Sequence, residues 1–293
     1  MIPIGSHPVW HPVLETLAYA VGFGVYRFLR ARDGDIVDEP QRWTVLAGAA
    51  VGALVGSRVL GVAEQWPTVE QAWRSGRLLE LLLSPGGKTI VGGLLGGWMG
   101  VELVKRLSGI RRRTGDLFAL PLCVGIAVGR VGCLLAGLAD DTYGKATSLP
   151  WAVNLGDGIG RQPVQVYEIL FLVILAVLVS NIPVSNIPVA NISDSSIPVA
   201  SSVHGLQPGL VTGNDFSRAE NAHKGFWASA PEGARFRVFL GGYLLWRFAI
   251  DFMKPQPLVA GLNLIQWSCA AGIFFLIVGE MRMGKGKHEP VRA

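Results

Sequence analysis

The chain is short of charge: only 16% of its 293 residues are Asp, Glu, Lys or Arg, too few solvated side chains to cover a soluble domain of this length. Cysteine is almost absent. Cys123, Cys133 and Cys269 fall inside apolar runs without metal-ligand spacing, which argues against a disulfide framework and leaves no cofactor or metal to expect. The first residues, Met1 to Leu14, lack the basic n-region and small-residue cleavage site of a secretory signal. The first apolar run is therefore expected to be retained.

Apolar side chains are what the sequence has in quantity, with 50% of residues hydrophobic and a mean hydropathy of +0.40, so a lipid bilayer is the expected solvent. Runs of about twenty apolar residues, the length a helix needs to cross roughly 30 Å of hydrocarbon, recur along the chain. They predict an all-α, multi-pass membrane protein of about seven transmembrane helices. The spans fall near Val13–Leu29, Trp43–Val62, Thr89–Lys105, Asp116–Leu138, Pro163–Ser180, Phe236–Met253 and Leu262–Met281.

Basic residues gather in alternate connections. One side collects Arg27, Arg30, Arg32 and Arg42, then Lys105, Arg106 and the arginines 111–113, then Arg218, Lys224, Arg235 and Arg237, then Arg282, Lys285, Lys287 and Arg292. The other side holds Arg74, Arg77, Lys88, Lys145, Arg161 and Lys254. The positive-inside rule then puts the N-terminus outside and the C-terminus in the cytoplasm. The net charge of +5 follows this membrane pattern, so a nucleic-acid partner is not expected.

Three regions follow. Residues 1–180 carry the first five spans and the expected substrate site, 181–235 form a spacer and cytoplasmic loop, and 236–293 carry the last two spans and a basic tail. The spacer begins with an imperfect Asn-Ile-Pro-Val repeat over Asn181 to Ser202, where proline forbids regular helix. Gly48, Gly52 and Gly56 recur every fourth residue in the second span, and Gly92, Gly93, Gly96, Gly97 and Gly100 crowd the third. Such faces let helices approach closely.

An arginine within hydrocarbon costs at least about 2.5 kcal/mol on insertion scales, yet Arg58, Arg130 and Arg247 lie inside three different predicted spans. Their positions along those spans put all of them roughly 10 Å below the outer interface. Glu15 and Glu168 open spans on the same side, and Asp251 lies one helical turn beyond Arg247. Two readings are open: each arginine pairs with a carboxylate and locks helices together, or the guanidinium groups converge on an anion. An anion at that depth suggests a phospholipid headgroup.

The block Gly129-Arg130-Val131-Gly132, the run Arg161, Pro163, Gln165, Tyr167 and Glu168, and Arg247-Phe248 followed by Asp251 and Lys254 occur in the order found in the bacterial prolipoprotein diacylglyceryl transferase family, which this chain resembles. Gly56-Ser57-Arg58 is similar to its second-span Gly-Ala-Arg, Gly92-Gly93 to the glycine pair of its third span, and Gln266 lies where its last span has glutamine. The departures are Val91 where the family carries histidine, Cys133 and Ala136 where it carries signature asparagines, Gln162 where histidine follows the arginine, and Asp140 or Asp141 in place of a glutamate.

The resemblance implies a transferase of the bacterial cytoplasmic (inner) membrane. It would move the diacylglyceryl group of phosphatidylglycerol onto the lipobox cysteine thiol of a prolipoprotein signal peptide, forming a thioether. The alternatives are a phospholipid-dependent transferase with another acceptor and a non-catalytic lipid-binding or transport protein. Expected catalytic residues are Arg130, Arg247, Glu168 and Asp140, with Arg58, Gly129, Gly132, Arg161, Gln165, Tyr167, Gly92 and Gly93 expected to bind substrate. His11 and Tyr143 are further candidates for proton chemistry, while Trp10, Trp66 and Trp151 are expected in the interfacial belt.

Overall fold

The computed structural model describes residues 2–4, 6–77, 79–80, 87–140, 142–183, 230–256, 258 and 260–286. Most of the spacer, Asp141 and the basic residues beyond 286 lie outside the described residues.

Helix dominates. A helix occupies each predicted apolar segment: α1 (Trp10–Asp33), α2 (Glu39–Glu64), α4 (Ile90–Leu107), α5 (Asp116–Ala136), α6 (Val164–Ser180), α7 (Ala234–Ile250) and α8 (Leu264–Gly286). Of these, α2 and the run Asp116–Ala139 are long and apolar enough to cross a membrane, and Val164–Ser180 and Leu264–Gly279 are shorter apolar helices. A short α3 (Trp66–Arg74) and 3-10 turns at Gly137–Ala139 and Asp251–Met253 complete the described helices. The chain is mostly helical, consistent with the all-α expectation, with one small addition. Strands β1 (Ile2–Pro3), β2 (Val153–Asn154) and β3 (Gly160–Arg161) form a small sheet, β1 parallel and β3 antiparallel to β2. Two-residue strands are too short to show an alternating pattern.

The helix ends have local causes. Gly34, at φ 77°, ends α1 and donates its N–H to the Arg30 carbonyl at 3.1 Å. Asp38 caps α2 by accepting from the Gln41 N–H at 3.0 Å, with Pro40 in the first turn. Thr89 caps α4 in the same way, accepting from Gly92 at 3.1 Å.

Glycine sets the pairing. A Cβ on Gly52 would overlap the Gly96 carbonyl and one on Gly56 the Gly92 carbonyl, so α2 and α4 touch backbone to backbone as the four-residue spacing predicts. Helices α1 and α5 form a second close pair, in which a Cβ on Gly22 would lie 3.3 Å from the Pro121 carbonyl and one on Gly125 3.3 Å from that of Ala18. Helices α6, α7 and α8 pack successively beside these pairs. Leu172, Phe239, Leu240, Leu244, Ile265 and Cys269 bury the shared core.

One end of the bundle gathers the start of α1, the end of α5, the start of α6, the end of α7 and the start of α8, with the small sheet beside them. The far end holds a different cluster. Arg42 is fully buried, its Nε donating to Asp35 Oδ2 at 2.7 Å, its Nη1 to the Thr114 carbonyl at 3.2 Å and its Nη2 to the same Asp35 carboxylate. Asp116 accepts from the backbone N–H groups of Gly233 at 2.7 Å and Phe236 at 3.1 Å, joining α5 to the start of α7. Arg42 and Arg235, which donates to the Ile182 carbonyl at 2.6 Å, are buried clasps, and Lys105 is buried beside Glu102 of its own helix, where the sequence suggested basic loops.

Candidate active site

Four helices deliver polar side chains to the first end. Arg130 projects from the last turns of α5, Glu168 from the second turn of α6, Tyr243 and Arg247 from the second half of α7, and Gln266 from the start of α8. Tyr243, Arg247 and Asp251 follow one another at intervals of four, so one stripe of α7 and its 3-10 extension presents all three.

Both arginines converge on one carboxylate. Glu168 Oε2 lies 2.9 Å from Arg130 Nε and 3.4 Å from Arg247 Nη1, while Oε1 accepts the Tyr243 hydroxyl at 2.7 Å. Arg247 Nη2 then lies 3.2 Å from Asp251 Oδ1, and Lys254 Nζ 3.4 Å from the same oxygen. Charge alternates along Arg130, Glu168, Arg247, Asp251 and Lys254, all buried. Beyond Asp251 the polar contacts continue: Asn263 Nδ2 donates to its Oδ2 at 3.2 Å, and Gln266 Nε2 donates to the Phe248 carbonyl at 3.0 Å. Glu64, at the end of α2, faces Arg247 and Lys254.

The chain is paired but not saturated. Arg130 Nε and Asp251 Oδ1 have ion-pair partners without hydrogen-bond alignment, and Arg247 Nε has no hydrogen-bond partner among the described residues. Gln165, 1% exposed, leaves both side-chain polar atoms without a hydrogen-bond partner among the described residues. Native interiors seldom tolerate such groups, because each orphan costs about 1–3 kcal/mol. The cluster therefore holds donors and acceptors that a polar ligand could engage. Lys254, just past the 3-10 turn, is held near pKa 7 chiefly by its burial, with Arg247 lowering it further and Asp251 opposing.

A second cluster adjoins Arg130. Arg130 Nη1 lies 3.6 Å from Cys133 Sγ, one turn along α5. Cys133, His11 and Asp140 each bring one ligand-type atom within 4.8 Å of the others, and His11 Nδ1 lies 3.8 Å from Asp140 Oδ1. The sequence showed no metal-ligand spacing around Cys133; the crossing of α1 over α5 brings His11 beside it.

The remaining candidates divide. Gly92 packs against the Gly56 carbonyl, Gly93 lies 3.6 Å from Ser57 Cβ, Gly129 3.8 Å from Ala18 Cβ and Gly132 3.0 Å from Leu14 Cβ, measured from an added Cβ in each case. Gly92 and Gly132 therefore sit in close helix contacts that a Cβ would crowd, whereas Gly93 and Gly129 have room for one. Arg58 stands where α2 meets the start of α4, its Nη1 3.8 Å from a Cβ added at Gly87. Arg161 pairs with Asp157 at 2.5 Å and lies over the Tyr143 ring at 4.8 Å, within the loop that carries the small sheet. Tyr167 accepts the Trp151 indole N–H at 2.6 Å and donates to Gln162 Oε1 at 3.2 Å, tying that loop to α6.

Sequence reasoning missed Tyr243 and Asn263. The signal for Tyr243 was its place one turn before Arg247 on the stripe shared with Asp251; Asn263 showed no comparable pattern.

Comparison with known proteins converges on one family. A family model described as prolipoprotein diacylglyceryl transferase matches residues 2–190. Proteins named phosphatidylglycerol–prolipoprotein diacylglyceryl transferase are similar to this chain in several bacteria. The one from Bordetella parapertussis is 32% identical over 286 residues, covering 90% of this chain and 86% of that protein. The one from Leptothrix cholodnii is 26% identical over 297 residues, covering 90% and 92%. The match to the Geobacter sulfurreducens protein, 28% identical over 177 residues, covers 57% of this chain and 66% of that protein, just under two thirds of its length. From the motif order, the family model and the near full-length relatives together, this chain belongs to the prolipoprotein diacylglyceryl transferase family.

Proposed function

We propose that the protein transfers the diacylglyceryl group of phosphatidylglycerol to the lipobox cysteine thiol of a prolipoprotein, releasing glycerol phosphate. The observation that carries this reading is the convergence of Arg130 and Arg247, from separate helices, on the single carboxylate of Glu168. Guanidinium forks suit phosphate oxygens, and their field is strongest in a site that excludes water. In this scheme Glu168 and Tyr243 keep the two arginines in register, and the lipid phosphate takes up the donors that Glu168 leaves poorly aligned. Gln165, whose polar atoms have no hydrogen-bond partner among the described residues, contacts the headgroup. Negative charge that develops on the departing phosphate then falls between two fixed cations.

The proposed setting is the bacterial inner membrane, crossed by α1, α2, α4, α5, α6, α7 and α8, with the arginine end toward the outer leaflet and the C-terminus in the cytoplasm. The basic loops of the sequence support that orientation. Residues 1–180 and 236–293 share the site across α5, α6 and α7, and the segment between them acts as a spacer. The acceptor approaches from the outer side, where lipobox signal peptides emerge.

The test is transfer from radiolabelled phosphatidylglycerol to a lipobox peptide by the protein in lipid nanodiscs. Wild type is expected to form the thioether, and Arg130→Ala to lose it while keeping its melting temperature within a few degrees. Unimpaired transfer by Arg130→Ala would remove the arginine pair from the chemistry.

A further inference from the structure

We propose that His11, Cys133 and Asp140 form a three-ligand site for a thiophilic divalent cation, zinc foremost, whose fourth position receives the acceptor thiolate. The identity of the fourth ligand rests on the transferase reading above; the metal site does not.

The three groups come from separate places and are built into position. Ser6 Oγ donates to the Ala136 carbonyl at 2.8 Å and the His7 N–H to the Leu135 carbonyl at 2.8 Å, hooking the approach to α1 onto the end of α5. Gly132 allows the crossing, because a Cβ there would lie 3.0 Å from Leu14 Cβ and 3.5 Å from the His11 carbonyl. His11 is thereby laid beside Cys133. Asp140 follows the 3-10 turn, and Thr142 Oγ1 donates to its Oδ2 at 2.6 Å, leaving Oδ1 toward His11 Nδ1. That Nδ1 is buried and makes no hydrogen bond among the described residues.

The chemistry fits a soft cation. Thiolate, imidazole and carboxylate at zinc distances of about 2.0–2.3 Å stand roughly 3.3–3.7 Å apart in a tetrahedron. Atoms already within 4.8 Å of one another reach that spacing by a shift of about 1 Å, most easily by His11, the more exposed of the two non-cysteine ligands. Thiolate selects against magnesium and calcium, which prefer all-oxygen ligands. One thiolate and one carboxylate neutralise a divalent charge. Arg130 Nη1, 3.6 Å from the sulfur, then donates to the bound thiolate, its own charge balanced by Glu168.

This arrangement would supply what Val91 cannot, since the chain has valine where the family carries histidine. The acceptor thiol binds the fourth position and releases its proton to water. Its sulfur lone pair attacks the glyceryl carbon; the sulfur–carbon bond forms as the carbon–oxygen bond to phosphate breaks, and that electron pair leaves on the phosphate oxygen beside Arg130.

Cobalt(II) titration of the metal-free full chain in nanodiscs tests the site. Wild type is expected to show a thiolate-to-cobalt charge-transfer band that saturates near one equivalent and is displaced by zinc. Cys133→Asn, which restores the residue type the family carries there, is expected to keep the apo melting temperature and lose the band. His11→Ala and Asp140→Asn are expected to lower zinc affinity by more than the roughly 10–100-fold that an outer-shell change costs. No band in wild type, or an equal band in Cys133→Asn, overturns the site. A metal-loaded protein that transfers no faster than the metal-free one overturns the role given to the fourth position and leaves the transferase reading intact. Metal binding without any transfer from phosphatidylglycerol supports the site and sinks the transferase reading instead.

Discussion

The two ends of the bundle bury arginine in opposite ways. At the far end each nitrogen group of Arg42 donates to Asp35 or to the Thr114 carbonyl, and the guanidinium is held over the Phe118 ring at 5.5 Å. At the site end Arg130 and Arg247 divide one carboxylate between them, and Arg247 Nε and Gln165 are left without hydrogen bonds among the described residues. Both clusters carry the desolvation cost of buried charge. Only the first recovers it within the protein. A saturated arginine is a clasp; in the proposed function the undersaturated pair is what receives the lipid phosphate.

That contrast makes opposite predictions for two similar substitutions. Arg130→Ala is expected to lower transfer by at least the 10²–10³-fold, on the order of magnitude, that follows loss of a charge-stabilising donor, with little change in melting. Arg42→Ala is expected to do the reverse. It leaves Asp35 with Arg30 alone, at 3.0 Å, and removes the donor to the Thr114 carbonyl, so it destabilises the fold by about 1–3 kcal/mol, while the molecules that remain folded transfer at close to the normal rate. Paired measurements of thermal melting and transfer rate per folded molecule separate the two. If Arg42→Ala loses rate without stability, the distinction drawn between the ends is wrong.

Lys254 sharpens the contrast within the site itself. Its charge is held in place by Asp251, opposed by Arg247 and Arg130, and faced by Glu168 and Glu64. With the group near pKa 7, the ammonium is present below neutrality and is lost as pH rises through about 7. Asp251 then turns wholly to Arg247, which binds phosphate less well. The apparent KM for phosphatidylglycerol is therefore expected to climb by up to about tenfold between pH 6.5 and 8.5. Lys254→Arg keeps a cation at every accessible pH and is expected to flatten that rise. A profile unchanged by Lys254→Arg would assign the ionisation to another group.

Much of this was legible in the sequence, and the reason is energetic. Arginine inside an apolar run is costly enough to be conspicuous, so Arg130 and Arg247 stood out before any coordinates. The glycine ladder of α2 and α4 was legible because a fixed four-residue interval translates directly into one helix face. Pairing was not. That Glu168 serves both arginines depends on how α6 sits between α5 and α7, which no local pattern encodes. The meeting of His11 with Cys133 was hidden for the same reason, since it requires the α1–α5 crossing that Gly132 permits. Arg42 and Arg235 misled in the other direction: basic residues near a span end look like loop charge even when backbone carbonyls and an aspartate enclose them.

The smallest expected effect concerns the loop beside the site. Tyr167 belongs to the family-like motif, yet its hydroxyl is occupied by the Trp151 indole and Gln162, as saturated in its way as Arg42. If the rule drawn from the two arginine clusters holds, Tyr167 is a fastening. Tyr167→Phe removes hydrogen bonds worth about 1 kcal/mol at a half-exposed position, so transfer should fall no more than roughly fivefold, with a small loss of thermal stability. Double substitution with Trp151→Phe should add little, because both changes break the same contact. A loss approaching that of Arg130→Ala, with stability unchanged, would place the Tyr167 hydroxyl on the substrate and show that saturation in the ligand-free molecule does not exclude a part in binding.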